Sequence, residues 1–356
     1  MEELEREATR EQERVASIDK FSVNNMRVLY TGVAGFVGSH LLEHTMKTTD
    51  WEVVALVKMD RAGDLNRIEE ILQDHPEWRE RVSIARHDLN DSLESVHKHI
   101  GEVDYIAHLA ACSHVDTSIK EPVSVFCNNA RSTAQVLEYA RVKQPGLKKF
   151  LYFSTDEVYG PAPEGYDFTE DDKLHPSNPY SAGKAAGEMI TMAYGKTYGL
   201  PFLITNTMNI FGERQDPEKL IPRSMQYLVK GEPMTIHGTK GNVGKRHWLH
   251  ARNAADAVIF LLKHEIVNDK VHIVGDIEMD NLQMFELIAK VMGKGGLKEG
   301  KDYVYVDFHS TRPGHDSRYA MSGKKLASLG WVAPVKFEES LERTVKWTME
   351  RPQWVS

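Results

Sequence analysis

A strand-like run, Met26-Arg27-Val28-Leu29-Tyr30, leads through Thr31-Gly32-Val33-Ala34-Gly35-Phe36-Val37-Gly38 into a stretch of helical character over 39–46. A strand that turns on closely spaced glycines straight into a helix fits a parallel α/β unit, because a parallel neighbour can be reached only by a crossover. The glycines allow a tight turn and let the backbone approach a pyrophosphate, which the first amides and the dipole of the helix then hold. A glycine cluster alone says little: Gly293-Lys294-Gly295-Gly296 follows a helix-like segment and reads as an ordinary loop. Order is what separates the two. In the first cluster strand, glycines and helix come in the sequence that dinucleotide binding requires, so Gly32, Gly35, Phe36, Val37 and Gly38 are cofactor-binding candidates.

Further buried strands read at 51–57, 81–85, 105–109, 149–153 and 202–205, most of them separated by helix-like segments. This alternation predicts an α/β fold, a Rossmann-like, doubly wound and mainly parallel sheet covered on both faces. After about residue 209 the pattern becomes irregular, with loops around Pro217, Pro222 and Pro233, a His/Trp/Arg stretch at 246–252 and an Arg312-Pro313-Gly314-His315 turn. The expected division is a charged extension over 1–25, a cofactor domain carrying the catalytic residues over 26–208, and a smaller substrate lobe over 209–356, interleaved with the sheet.

The acidic residue expected about 20 positions past the glycines, where it would bind the adenosine ribose, is missing. Val57-Lys58-Met59-Asp60-Arg61 stands there, so either Asp60 reaches the ribose from a shifted turn or Lys58 and Arg61 accept a 2′-phosphate. NAD is the expected cofactor, with NADP the alternative. Asp88-Leu89 and Leu109-Ala110-Ala111, after the third and fourth strands, suit an adenine edge contact and a close-packed cofactor wall.

Composition excludes several classes of function. The 356 residues carry 44 basic against 52 acidic side chains, a formal charge of −8, with no Lys/Arg block of the kind that binds nucleic acid or a membrane surface. No run approaches the roughly 18 apolar residues of a transmembrane helix. The 1–25 segment, rich in Glu and Arg, lacks the apolar core of a secretory signal and reads as a frayed or surface-docked helix. Cys112 and Cys127 are the only cysteines, which argues against a disulfide framework or a structural metal and for a reducing, cytoplasmic setting.

The chemistry concentrates after the strand Phe150-Leu151-Tyr152-Phe153. Ser154-Thr155-Asp156-Glu157-Val158-Tyr159-Gly160 follows it, at the carboxyl end where open α/β sheets place ligands. Further on, Tyr180 and Lys184 lie one helical turn apart, so the ammonium can approach the phenol. Bringing a phenol from about 10 to about 7 requires roughly 4 kcal/mol in favour of phenolate, which a lysine and an oxidised nicotinamide can supply together. Tyr139 and Lys143 repeat the spacing but precede the catalytic strand, where a surface helix is expected. Of the paired carboxyls, one kept protonated can release a hydroxide as water, and an ionised neighbour can remove a proton made acidic by an adjacent ketone.

These residues, with His108-Leu109-Ala110-Ala111-Cys112-Ser113-His114-Val115-Asp116, Asn178-Pro179-Tyr180, Pro217-Glu218-Lys219-Leu220-Ile221-Pro222 and Arg312-Pro313-Gly314-His315-Asp316, resemble the extended short-chain dehydrogenase/reductase (NAD-dependent epimerase/dehydratase) family. Within it the Thr-Asp-Glu triplet is similar to that of dTDP-glucose 4,6-dehydratases, since related epimerases usually carry a small hydroxyl residue at the Asp156 position. The resemblance implies that Tyr180, helped by Lys184 and Thr155, takes the sugar O4 proton as C4 is oxidised by NAD. Glu157 then removes the C5 proton, Asp156 protonates the departing C6 hydroxyl, and the hydride returns to C6. It also implies a nucleoside-diphosphate hexose contacted by His114, Asn209, Lys219, Leu220, Arg246, Arg312 and His315, no metal, and a homodimer built on the helices around 123–142 and 180–198. Departures from the family surround the substrate: Cys112 for Glu, Thr117 for Arg, Ile210 and His272 for Asn, His247 for Asp, and a lengthened 238–245 loop. They leave thymidine and uridine both open.

Overall fold

The structure, a computed structural model, describes residues 26–59, 63–307 and 318–354. Asp60, Arg61, Arg312, His315 and the 1–25 extension therefore lie outside the described residues. The first half runs β1 (Arg27–Thr31), α1 (Phe36–Thr48), β2 (Glu52–Val57), α2 (Asn66–Asp74), β3 (Val82–Arg86) and β4 (Tyr105–His108). Next come α3 (Pro122–Lys143), β5 (Lys149–Thr155), α4 (Pro179–Tyr198), β6 (Phe202–Thr207) and β7 (Asn209–Phe211). They are followed by α5 (Leu220–Lys230), β8 (Met234–Thr239), β9 (Asn242–Val243), β10 (Lys245–His250), α6 (Ala251–Lys263) and β11 (Asp269–Ile273). The chain closes with β12 (Ile277–Asp280), α7 (Asn281–Val291), β13 (Tyr303–Val306) and α8 (Phe337–Glu350).

The main sheet has the order β11-β6-β5-β4-β1-β2-β3, with every neighbouring pair parallel. The alternation of strands and helices dictates this: each return needs a crossover, and successive side chains on a strand face opposite layers. In β1, Val28 and Tyr30 join the layer containing Leu41, Leu42 and Val258 from α1 and α6, while Leu29 joins Val136 and Leu137 of α3 on the other face. From β1 the chain winds outward through β2 and β3, then crosses back to β4 on the other side. That reversal opens a crevice at the carboxyl ends of β1 and β4, where doubly wound sheets bind their ligands.

Beyond residue 208 the chain builds two small sheets, β12-β10-β7 and β13-β8-β9, and returns β11 to the edge of the main sheet. Phe211, Met225, Ile236, Trp248, Phe285 and Val345 form a separate core there. The lengthened 238–245 loop is a hairpin, with Gly238 opposite Val243.

Three local expectations are corrected. The third strand begins at Val82, because Arg81 still belongs to the 3₁₀ turn Pro76–Arg81. Pro222 lies in the first turn of α5 rather than in a loop, a position that needs no amide donor. Tyr139 is buried, with hydrogen bonds at 3.0 Å to His97 and Gln144, since its face of α3 packs on the sheet; Lys143 points outward to Glu94.

Candidate active site

A cleft of about 510 Å³ opens at the switch between β1 and β4 and extends beneath the small sheets. Its inner end is lined by Gly32, Gly35, Phe36, Val37 and Gly38, and by Asp88, Leu89, Leu109, Ala110 and Ala111. Thr31 joins the turn to the wall: its Oγ1 accepts hydrogen bonds from the Leu109 and Ala110 amides at 3.2 and 3.1 Å. A Cβ on Gly32 would stand 2.8 Å from the Ala110 nitrogen, and one on Gly38 would stand 2.2 Å from the Gly32 carbonyl, so side chains there would break the turn. Helix α1 has neither a side-chain cap nor an acidic residue in its first turn, which leaves its leading amides suited to an anion. Lys58 pairs with Asp88 at 2.8 Å. Burial opposes ionisation of Asp88, yet hydrogen bonds from Lys58 and Asn90 outweigh it and hold the carboxyl at about 2. The turn, the anion-ready helix and the tight wall fit a dinucleotide.

Thr155, Asp156, Glu157, Tyr180 and Lys184 line the same cleft. The triplet lies where β5 ends and the 3₁₀ turn Asp156–Tyr159 begins. Helix α4 starts opposite it because Asn178 caps the helix in a capping box with Ser181 and Pro179 fills the first helical position. Tyr180 thereby falls in the first turn, where its phenol shares a hydrogen bond with Thr155. One turn on, Lys184 donates to the Phe153 carbonyl at 2.6 Å and stands 4.3 Å from the centre of the Tyr152 ring. This approach of helix to strand depends on Gly187, whose Cβ would lie 2.1 Å from the Tyr152 hydroxyl.

The two carboxyls occupy different environments. Asp156 is 5% exposed; its Oδ1 accepts from Thr155 Oγ1 at 2.9 Å and from the Glu157 amide at 3.0 Å. Among the described residues its Oδ2 is buried without a hydrogen-bond partner. Burial, and then the Glu157 charge, push the Asp156 carboxyl up to about 7. Glu157 Oε2 instead accepts from Asn178 Nδ2 at 3.0 Å, a donor suited to a carboxylate. Burial, then the Glu157 charge, also hold the Tyr180 phenol above its ordinary value, while burial pulls Lys184 down to about 7 against the opposing charge of Glu188.

The outer cleft brings in His114, Asn209, Lys219, Leu220 and Arg246. Arg246 is buried, donates to the Lys245 carbonyl at 2.7 Å and stacks over Tyr319 at 4.5 Å. Lys219 precedes α5, which has no side-chain cap, so its charge and the first amides of that helix face the same space. His114 is engaged on both ring nitrogens, Nδ1 with Thr117 and Nε2 with Glu218 at 2.8 Å. His272 does not line the cleft, contrary to the expectation that it is among the departures surrounding the substrate. It is buried behind the catalytic turn, 2.8 Å from the Tyr159 hydroxyl, and burial then the Lys270 charge hold it at about 3, hence neutral. Sequence reasoning missed Asn178 as the partner of Glu157, although a helix-capping residue ahead of Pro179 marked the position. Among the described residues no cluster of His, Cys, Asp and Glu is placed to hold a metal, and no helix is long and apolar enough to cross a membrane.

Residues 29–344 match the family model described as GDP-mannose 4,6 dehydratase. The chain belongs to the extended short-chain dehydrogenase/reductase family, in its NAD-dependent epimerase/dehydratase branch. Within that family it is 37% identical over 320 residues to the low-salt glycan biosynthesis protein Agl12 of Haloferax volcanii, covering 90% of this chain and 97% of that protein. It is 34% identical over 331 residues to a trifunctional UDP-glucose 4,6-dehydratase/3,5-epimerase/reductase of Arabidopsis thaliana, covering 92% of this chain and 48% of that protein, about half its length. Among solved structures it is similar to the dTDP-glucose 4,6-dehydratase DesIV of Streptomyces venezuelae with NAD bound, with a TM-score of 0.82 and 30% identity over 92% of this chain and 98% of that one. This extended short-chain dehydrogenase/reductase therefore shares its fold with proteins named for dehydration of glucose nucleotides.

Proposed function

We propose that the protein is an NAD-dependent nucleoside-diphosphate-hexose 4,6-dehydratase acting on dTDP-glucose or UDP-glucose. The observation that carries this reading is the pair Asp156 and Glu157, adjacent in the chain yet in different surroundings beside Tyr180: burial pushes the Asp156 carboxyl up to about 7, whereas Glu157 accepts a hydrogen bond from Asn178. An epimerase that only oxidises and reduces C4 has no use for such a pair. NAD, which the Gly32–Gly38 turn, the start of α1 and the Leu109–Ala111 wall would hold, would supply hydride-acceptor and hydride-donor chemistry and a positive charge favouring phenolate.

The residues divide the remaining work. Tyr180 takes the proton from O4, with Thr155 orienting the shared oxygen and Lys184 stabilising the phenolate. Burial and the Glu157 charge both disfavour that phenolate and the Thr155 hydrogen bond favours it, so the reading calls on a positive charge in the cleft, the role given to Lys184. Once C4 is a ketone, Glu157 removes the acidified C5 proton. The C5 electron pair forms the C5–C6 double bond as the C6–O bond breaks, and Asp156 gives its proton to the departing oxygen, so that water leaves. Asp156 Oδ2, buried and without a protein partner among the described residues, suits that proton. After hydride return to C6, reprotonation at C5 completes a 4-keto-6-deoxyhexose.

Arg246, Lys219 and the start of α5 support recognition of a diphosphate, a role to which Arg312 and His315, outside the described residues, are also assigned from the sequence. On this reading the small sheets beyond residue 208 serve the substrate and the main sheet serves the cofactor. Exposed apolar side chains on α3 and α4, Val123, Phe126, Met189 and Met192 among them, support a homodimer packed through these helices. Cys112 and Cys127 form no disulfide, which is compatible with a cytoplasmic setting.

The test is incubation of the protein and NAD with dTDP-glucose and UDP-glucose separately, followed by product mass. Loss of one water from either donor supports the dehydratase and names its nucleotide. Conversion to an isomer of unchanged mass, or no reaction with both, contradicts it.

A further inference from the structure

We propose that the buried Glu188 and the largely buried Lys270 form a positioning pair that locks the catalytic turn to α4 and places a carboxylate one helical turn from Lys184. The proposal rests on the dehydratase reading of the same site and extends it to residues that never touch the cleft.

Tyr180, Lys184 and Glu188 follow one another at one-turn intervals on the buried side of α4. Glu188 has no solvent exposure. Its Oε1 accepts from Ser154 Oγ and from Asn206 Nδ2, both at 2.6 Å, and its Oε2 lies 2.7 Å from Lys270 Nζ on β11. A carboxylate persists in a protein interior only with such partners. Where they sit gives the group its purpose. Ser154 immediately precedes Thr155, and Asn206 Nδ2 also donates to the Thr155 carbonyl at 3.0 Å. Lys270 reaches the Tyr159 hydroxyl at 3.4 Å, at the far end of the Asp156–Tyr159 turn. One carboxylate and its partner thus fasten both ends of the acid/base segment to the helix that carries the tyrosine.

The pair also sets charge. Lys184 has Tyr180 and Glu188 one turn away on its own helix, the Tyr152 ring and the Phe153 carbonyl on the β5 side and His108 within electrostatic reach on β4, while Asp156 and Glu157 line the same cleft. His108 adds no charge, because burial and then Lys184 hold it at about 3. Burial pulls Lys184 to about 7, and Glu188 is the group that opposes that fall. Removing that charge leaves burial unopposed and shifts Lys184 further toward its neutral form.

The experiment is a ¹³C-lysine NMR titration of NAD-saturated protein, with the Lys184 resonance assigned by its loss in Lys184→Arg. Glu188→Gln keeps an acceptor for Ser154 and Asn206 but removes the charge. It should lower the Lys184 midpoint by about one pH unit or more, and dehydration at neutral pH roughly tenfold. It should also lower the melting temperature, because Lys270 is left buried and unbalanced. Adding Lys270→Met should restore the melting temperature without restoring the Lys184 midpoint or the rate, whereas Glu188→Asp, which keeps the charge, should recover part of both. A double variant whose Lys184 midpoint equals that of the native protein would overturn the proposal, as would a folded Glu188→Gln protein with no shift. The titration needs no substrate, so a protein that dehydrates nothing would show the failure of the parent reading separately.

Discussion

Replacing Asp156 by asparagine removes its proton while nearly preserving its shape, and the structure assigns opposite consequences to stability and activity. In the folded chain the carboxyl is held at about 7, chiefly by burial, against an ordinary 3.8. A carboxyl raised in this way favours the fold below its unfolded value, and that contribution is lost as pH rises through the folded value. At 1.36 kcal/mol per pH unit the full loss is about 4 kcal/mol, of which roughly 3 kcal/mol falls between pH 5 and pH 8. Asparagine pays none of it. For a chain of this length that difference corresponds to about 4 °C in melting temperature. Asp156→Asn should therefore gain stability over the native protein on going from pH 5 to pH 8, in scanning calorimetry without added NAD. The same substitution should slow water elimination by about 10²- to 10⁴-fold, the usual contribution of a general acid. A stability difference that is independent of pH would refute the buried neutral carboxyl, and undiminished water loss would refute its role as the acid.

Glu157→Gln should cut C5 deuterium exchange by about 10²- to 10⁴-fold in D₂O while NAD affinity, read by calorimetric titration, stays near native; unimpaired exchange would remove Glu157 from the role of base. Gly38→Ala forces a Cβ to 2.2 Å from the Gly32 carbonyl, so NAD binding should weaken at least tenfold with the melting temperature also reduced; native affinity would argue against the glycine turn as the pyrophosphate site. Phe126→Glu with Met189→Glu should convert a dimer to a monomer in sedimentation velocity at micromolar concentration, and a wild-type chain that is already monomeric would end the dimer proposal.

The sequence showed most clearly what is local in the chain. The glycine turn between β1 and α1, the Thr155-Asp156-Glu157 triplet at a strand end and the Tyr180–Lys184 spacing are each set within a few residues, and the structure brings them to one cleft. Asn178 was readable as a helix cap, but its second bond to Glu157 exists only once β5 and α4 are adjacent. The same holds for the Glu188–Lys270 pair, made by β11 returning to the sheet edge, and for His114, whose engagement with Glu218 joins the two sides of the cleft. Tyr139 escaped notice as a core residue because a surface helix was expected ahead of the catalytic strand, whereas its face of α3 packs on the sheet and His97 and Gln144 satisfy its hydroxyl inside. His272 was assigned by motif position, and only the packing of β11 behind the catalytic turn shows that it serves Tyr159.

The most direct test of the central claim, oxidation, elimination and reduction of one sugar in one cleft, follows a single hydrogen. Whichever glucose nucleotide is accepted should be supplied with deuterium at C4, and its product examined by mass spectrometry and deuterium NMR. The account predicts loss of one water with the deuterium found at C6. Deuterium remaining at C4 in a product of unchanged mass, or water lost with the label absent from C6, would contradict it.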